Sequence, residues 1–191
     1  MTKKILITAF EPFGLTGAFL RKANASLDVM TRLQAALPED QYDFLTLPVA
    51  DDAADLLRDH LDRTQPEGVL CLGELLTLKP GSVNLEPYAH DLGATLNPLA
   101  PLMGAEILKS AFAESAAPMK KMTSTIGAYH CNNIYKTALQ WSGANQDVPA
   151  AFMHVAVLGD RDRQSAAVLE TVQAMRDSVQ PPQPRPAAMI L

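Results

Sequence analysis

Two cysteines and four histidines are the side chains of this 191-residue chain best suited to nucleophilic or metal chemistry. Cys131 precedes apolar residues at helical spacing, so we expect it in the first turn of a helix. Free backbone N–H groups and the helix dipole favour a thiolate there, and the same groups can hold an oxyanion. The alternative is a small, inert core cysteine. Cys71, in the middle of an apolar run, fits that second interpretation.

A cysteine nucleophile needs a base, and His154 lies in the next apolar run after Cys131. Because consecutive elements are usually neighbours, contact between the two side chains is feasible. A hydrogen-bonded core histidine is the competing interpretation. A carboxylate would orient the imidazole, and Glu86, Glu74 and Asp91 are all candidates for that carboxylate. The residues by themselves do not choose among the three.

The elements that must position these residues alternate between strand and helix patterns. Strands are predicted over 3–10, 42–50, 68–73, 122–129 and 150–158, and helices over 24–37, 51–65, 103–116, 131–141 and 164–179. Asn24 or Ser26 is expected to cap the first helix. This alternation predicts a single-domain three-layer α/β/α sandwich over 1–180 with a mostly parallel, mixed central sheet. Residues 181–191 form a Pro-rich tail. In such folds ligands bind beyond the carboxyl ends of the strands.

The composition and charge of the chain argue against several classes of function. Hydrophobic residues make up 48% of the chain and charged residues 19%, with a net charge of −5 and no Lys/Arg run. We therefore expect no nucleic-acid partner, no membrane span, and no metal or other cofactor, since the histidines lack ligand spacing and no phosphate-binding motif occurs. The first apolar run is stopped by Glu11 and Pro12 too early for a signal peptide. Together with the sparse cysteines, this predicts the cytoplasm.

Five short blocks, in order, resemble a known family. They are Phe10-Glu11-Pro12-Phe13-Gly14, Asn24-Ala25-Ser26, Leu70-Cys71-Leu72-Gly73, Gly127-Ala128-Tyr129-His130-Cys131-Asn132 and Phe152-Met153-His154-Val155. The family is pyroglutamyl peptidase I, also called pyrrolidone-carboxylate peptidase.

The resemblance implies a cysteine exopeptidase that removes N-terminal pyroglutamate from peptides through a thioester acyl-enzyme. It also implies a homo-oligomer, either a dimer or a tetramer. Carried over by residue, Cys131 is the nucleophile, His154 the base and Glu86 the orienting acid, while Phe10 and Phe13 form an apolar slot for the lactam ring and Thr46 lies at its rim.

The chain also departs from the family pattern. Leu15 replaces a glycine after the first block, Glu74-Leu75-Leu76-Thr77 replaces a Gln-Ala-Gly-Gly run, and Pro87 replaces the arginine that follows the acid. No arginine lies between Arg63 and Arg161, although the family carries one that assists the oxyanion. Two alternatives therefore stand beside the peptidase: a hydrolase of this fold with another small acyl or lactam substrate, and a catalytically silent relative that acts by binding or assembly.

Overall fold

The computed structural model of the chain describes residues 3–12, 23–92, 105–116, 126–127 and 129–179. Strands and helices alternate along most of these residues. In chain order they are β1 (Ile5–Phe10), α1 (Ala25–Ala36), β2 (Tyr42–Leu47), α2 (Ala53–Thr64), β3 (Gly68–Leu75), β4 (Val83–Leu85), β5 (Tyr88–Asp91), β6 (Glu106–Lys109), α3 (Ala111–Ala116), α4 (His130–Ala144), β7 (Ala150–Ala156) and α5 (Arg161–Val179).

The central sheet has five strands in the order β2-β1-β3-β7-β4. The first four are parallel, and β4 runs antiparallel to β7 at the edge. β5 and β6 form a separate antiparallel pair. The predicted α/β sandwich with a mixed, mostly parallel sheet is confirmed.

Apolar side chains on the two faces of the central sheet form two separate cores. On one face, Leu6, Phe10, Cys71 and Phe152 pack with the apolar residues of α2 and α4. We call this the α4 face. On the other face, alternate residues of the same strands pack against α1 and α5. This alternation fixes which side chains of β3, β4 and β7 share a face with Cys131.

Helix ends follow local hydrogen bonding. Oδ1 of Asn24 accepts a hydrogen bond of 2.9 Å from the backbone N–H of Ser26, so Asn24 rather than Ser26 caps α1. Among the described residues, no helix has both the length and the apolarity needed to cross a membrane.

The predicted helix over 103–116 is wrong in its first half. Residues Glu106–Lys109 form β6, which pairs with β5, and the helix begins only at Ala111. Oγ of Ser110 accepts a hydrogen bond of 2.9 Å from the backbone N–H of Ala113, so it caps the helix there. The predicted strand over 122–129 lies largely outside the described residues.

Candidate active site

Two of the predicted site residues, Cys131 and His154, lie at the carboxyl edge of the central sheet. Gly73 in β3 and His154 in β7 are partners across the parallel ladder, close to the carboxyl ends of both strands. Cys131 is the second residue of α4, so it stands at the amino end of the helix that covers this face. The edge is the one at which parallel α/β sheets bind ligands.

Gly73 makes room for the thiol. A methyl group built on Gly73 would lie 3.0 Å from Sγ of Cys131 and 2.7 Å from Cζ of Phe152. Gly73 pairs with His154 on the neighbouring strand. The Phe152 and His154 rings are in edge contact, with centroids 4.9 Å apart. The thiol and the imidazole therefore both lie beside the Phe152 ring on the α4 face.

His154 is bound to a buried carboxylate. Its Nδ1 atom lies 2.8 Å from Oε1 of Glu86, and the two residues are 1% and 0% exposed. An ionised carboxylate can only accept a hydrogen bond, so the proton lies on Nδ1 and Nε2 of the neutral ring keeps its lone pair. This is the tautomer that a general base requires.

Short contacts fix the backbone around Glu86. Its N–H donates a hydrogen bond of 2.8 Å to the carbonyl of Phe152, and its carbonyl accepts one of 2.9 Å from the hydroxyl of Tyr135 in α4. The backbone of Glu86 is therefore held by β7 on one side and by the helix carrying Cys131 on the other.

The pKa of the Cys131 thiol contradicts the expected thiolate. Burial, and after it the negative charge of Glu86, raises this pKa from 9.0 to about 12, although the residue's own backbone N–H acts in the opposite direction. The first turn of α4 does favour the thiolate, but the loss of water around the sulfur outweighs this effect. At neutral pH the resting residue is a neutral thiol.

The three candidate carboxylates occupy three different places. Glu86 meets His154. Glu74 accepts a hydrogen bond of 2.9 Å from the backbone N–H of Ala25 and so stabilises the start of α1. Asp91 lies 3.7 Å from Nζ of Lys136 on α4. The geometry therefore favours Glu86 as the partner of the imidazole.

The candidate pocket residues Phe10 and Thr46 lie on opposite faces of the central sheet. Phe10 ends β1 on the α4 face and is 4% exposed, so its ring lies in the core beneath the carboxyl edge. Thr46 is exposed on edge strand β2. It alternates with Leu45 and Leu47, which pack on the α4 face, so it lies on the opposite face from Cys131. Phe13 lies outside the described residues.

Residue-by-residue analysis of the sequence missed Asn84 and Asn132. Nδ2 of Asn84 donates a hydrogen bond of 2.9 Å to Glu86. Asn132 binds both the N–H and the carbonyl of His90, at 2.7 and 2.9 Å, and so joins β5 to α4. The separation of two between Asn84 and Glu86, typical of one face of a strand, is a signal that could have identified the first.

Comparisons with known proteins point to one family. The pyrrolidone-carboxylate peptidase of Lacticaseibacillus paracasei is 26% identical over 177 residues, which are 83% of this chain and 80% of that relative. The one from Streptococcus pyogenes serotype M12 is 26% identical over 172 residues, covering 80% and 77%. No protein-family model matches the chain.

Solved structures agree in architecture. Pyrrolidone carboxyl peptidase from Fervidobacterium islandicum superposes with a TM-score of 0.71 at 22% identity, covering 92% of this chain and 99% of that one. Pyroglutamyl peptidase I from Bacillus amyloliquefaciens gives 0.68 at 18%, covering 91% and 97%. These similarities establish the shared fold.

An α/β sandwich related in this way to curated peptidases is a hydrolase of the cysteine peptidase class. Within that class, the chain is similar to the pyrrolidone-carboxylate peptidases, at 26% identity over about four fifths of its length.

Proposed function

We propose that the protein removes N-terminal pyroglutamate from peptides, with Cys131 as nucleophile, His154 as base and Glu86 as orienting acid. The observation that carries the proposal is the buried Glu86–His154 pair, whose Nδ1–Oε1 separation is 2.8 Å, on the sheet face that also holds the Cys131 sulfur. The sequence similarity supports the substrate, because the curated relatives are pyrrolidone-carboxylate peptidases.

The chemistry begins from a neutral thiol. As Sγ of Cys131 attacks the pyroglutamyl carbonyl carbon, its proton passes to Nε2 of His154, and Glu86 stabilises the imidazolium that forms. Backbone N–H groups at the start of α4, including that of Cys131, face the developing oxyanion. This arrangement supplies a thiolate only during the attack, which suits a sulfur whose pKa burial has raised to about 12.

The intermediate collapses by breaking the C–N bond of the peptide. The imidazolium of His154 gives its proton to the leaving amine, and a thioester to Cys131 remains. Neutral His154 then takes a proton from water, the hydroxide adds to the thioester carbon, and pyroglutamate leaves as the thiol is regenerated.

Recognition of the lactam would rest on apolar contact and a few backbone groups. A compact neutral ring is suited to aromatic walls, for which Phe10 and Phe13 remain the proposed residues. The position of Thr46 on the opposite face argues against a direct contact with the ring. The chain lacks an arginine between Arg63 and Arg161, so the oxyanion would depend on the α4 amides.

We further propose a cytoplasmic homo-oligomer, a dimer or a tetramer, acting on peptides. Both cysteines are free thiols, as a thiol peptidase in a reducing compartment requires. Sedimentation of the purified chain would measure the oligomeric state directly.

The test is release of a fluorogenic amine from its pyroglutamyl derivative, with the prolyl derivative as control substrate. The wild-type chain should cleave only the lactam substrate. Cys131→Ala should reduce turnover to background, whereas Cys71→Ala, which removes the other thiol from the same face, should retain it.

No turnover by a folded, reduced wild-type chain would contradict the proposal. The changed segment at the end of β3, where Glu74 accepts a hydrogen bond from the start of α1, favours a different small acyl or lactam substrate as the second candidate. Other acyl amides would then be screened against the same two variants. Absence of turnover with every one of them would favour the silent relative.

A further inference from the structure

We propose that Asn84 is a positioning residue that orients the Glu86 carboxylate and, through it, the imidazole of His154; this rests on the proposed function. Nδ2 of Asn84 donates a hydrogen bond of 2.9 Å to Oε1 of Glu86. The same oxygen lies 2.8 Å from Nδ1 of His154. One carboxylate oxygen is therefore shared between an amide donor and the imidazole.

The sheet brings these three side chains together. Asn84 and His154 are partners across the antiparallel β4–β7 ladder, and Glu86 lies two residues further along the chain. Val83 and Leu85 pack on the opposite face, so Asn84 and Glu86 project toward the α4 face with His154. The Asn84 amide reaches the Glu86 carboxylate from two residues earlier in the same segment. The His154 imidazole reaches it from the neighbouring strand, β7.

A neutral donor is well suited to this position. Glu86 is 0% exposed, and a carboxylate without hydration needs hydrogen bonds or positive charge to stay ionised. The amide of Asn84 supplies a hydrogen bond and has no proton to give up at any working pH. It therefore favours the ionised carboxylate that stabilises the imidazolium, and it holds Oε1 in line with Nδ1.

The first arm of the test compares steady-state kinetics of Asn84→Ala with those of the wild-type chain. Loss of a hydrogen bond to a buried charge should lower kcat roughly tenfold, with KM changed less than about twofold, since the proposed role of Asn84 acts through Glu86 and His154. Ser82→Ala is the matched control on the same segment, because its hydroxyl bonds to the carbonyl of Lys79 instead. A kcat for Asn84→Ala within twofold of wild type would overturn the proposal.

The second arm uses Asn84→Asp, which keeps the shape and exchanges the donor for a titratable group. Two adjacent carboxyls do not both ionise readily, so at low pH the new carboxyl is protonated and donates to Glu86. As pH rises it ionises, loses the donor and repels Glu86. The ratio of Asn84→Asp to wild-type kcat should therefore fall as pH rises. A ratio independent of pH would count against a positioning role.

The third arm needs no turnover, which separates this proposal from the proposed function. The Nδ1–H proton of His154 should give a strongly downfield NMR resonance that Ser82→Ala leaves in place and Asn84→Ala shifts. If the wild-type chain proves inactive but the resonance shifts, the proposed function fails and the positioning role stands. If the resonance is unchanged in a folded Asn84→Ala chain, the positioning role fails.

Discussion

Gly73 is the residue on which the arrangement of the candidate site depends most directly. Its missing side chain leaves the space that Sγ of Cys131 and the edge of Phe152 fill. A side chain there would compete with the sulfur for the space beside the strand that carries His154. The φ of Gly73 is not positive, so its backbone conformation does not require glycine. The requirement comes from the close approach of Cys131 and Phe152 alone.

Gly73→Ala should therefore impair both packing and chemistry. The added methyl group would meet Phe152 Cζ at 2.7 Å and Sγ at 3.0 Å, so one of them must move. We expect a loss of about 1–3 kcal/mol in the free energy of unfolding and roughly a tenfold or larger fall in kcat/KM. Urea unfolding and the pyroglutamyl assay measure the two effects.

Gly143→Ala is the control for that substitution. Gly143 is exposed on α4, and a methyl group built there has no neighbour within 4 Å. Alanine is the better helix former, so stability should rise by up to about 1 kcal/mol with activity unchanged. Equal kcat/KM in Gly73→Ala and Gly143→Ala would contradict the placement of the thiol above Gly73.

At the residue scale, the sequence could propose candidate side chains but not their protonation. Cys131, His154 and Glu86 could be selected from a family resemblance, and they lie together on one face. The protonation of Cys131 could not be predicted, because it depends on burial and on the nearby charge of Glu86, both of which arise only from tertiary packing. Thr46 illustrates the same limit, since the face it occupies depends on the register of β2 against β1.

At the scale of elements, the position of Glu86 depends on the short edge strand β4, which ends at the preceding residue, Leu85. The segment before β4 packs against the segment after β7 at a close backbone contact between Gly81 and Gly159, which we call the glycine crossing. There the N–H of Gly81 donates a hydrogen bond of 2.7 Å to the carbonyl of Leu158. Gly159 has a φ of +116°, and a methyl group built on it would lie 2.0 Å from the nitrogen of Gly81. The crossing therefore tolerates no side chain at Gly159.

Gly159→Ala should force this crossing apart. We expect a loss of roughly 3 kcal/mol in the free energy of unfolding and reduced kcat, because β4 contains Asn84 and leads directly into Glu86. Gly81→Ala is the matched variant: its φ of +74° is also positive, but its nearest neighbour is 3.7 Å away. A cost equal to that of Gly81→Ala would show that backbone conformation alone, and not the close approach, is responsible.

A second link between elements is the pair of hydrogen bonds from Asn132 to the backbone of His90. Asn132→Ala leaves a buried N–H and carbonyl without these partners, so we expect a loss of roughly 2–3 kcal/mol in the free energy of unfolding. Hydrogen exchange should speed up in β5. Asn133→Ala, one residue further along α4, should change stability by less than about 0.5 kcal/mol. Unaltered exchange in β5 of Asn132→Ala would contradict the link.

Elements with strong periodicity could be predicted, and those that depend on pairing could not. The α1, α2 and α5 helices and the parallel strands of the central sheet lie within a few residues of their predicted positions. Ile107 and Leu108 are apolar neighbours that suit a helix or a strand equally, and pairing with β5 decides in favour of the strand. The cap at Ser110 is the local signal that would have moved the helix start to Ala111.

At the scale of the whole molecule, the α4 face concentrates buried groups that hold their protons more tightly when folded. Burial raises the pKa of both Cys71 and Cys131 from 9.0 to about 12, and it raises the pKa of Tyr135 as well. In each case the folded state binds the proton more strongly than the unfolded chain does. The stability that these groups contribute is therefore complete below about pH 9 and is lost as pH rises toward 12.

The midpoint of urea unfolding should accordingly stay level between about pH 7 and 8.5 and fall steadily from about pH 9 to 11. Cys71→Ala lacks one of the three groups. Its midpoint should start lower, because a buried sulfur is lost from the core, but decline less steeply over the same interval. A wild-type midpoint that is constant up to pH 11 would mean that these side chains are hydrated in the native protein. If the urea midpoint fell equally steeply with pH in Cys71→Ala and in wild type, the loss of stability at alkaline pH would not arise from Cys71.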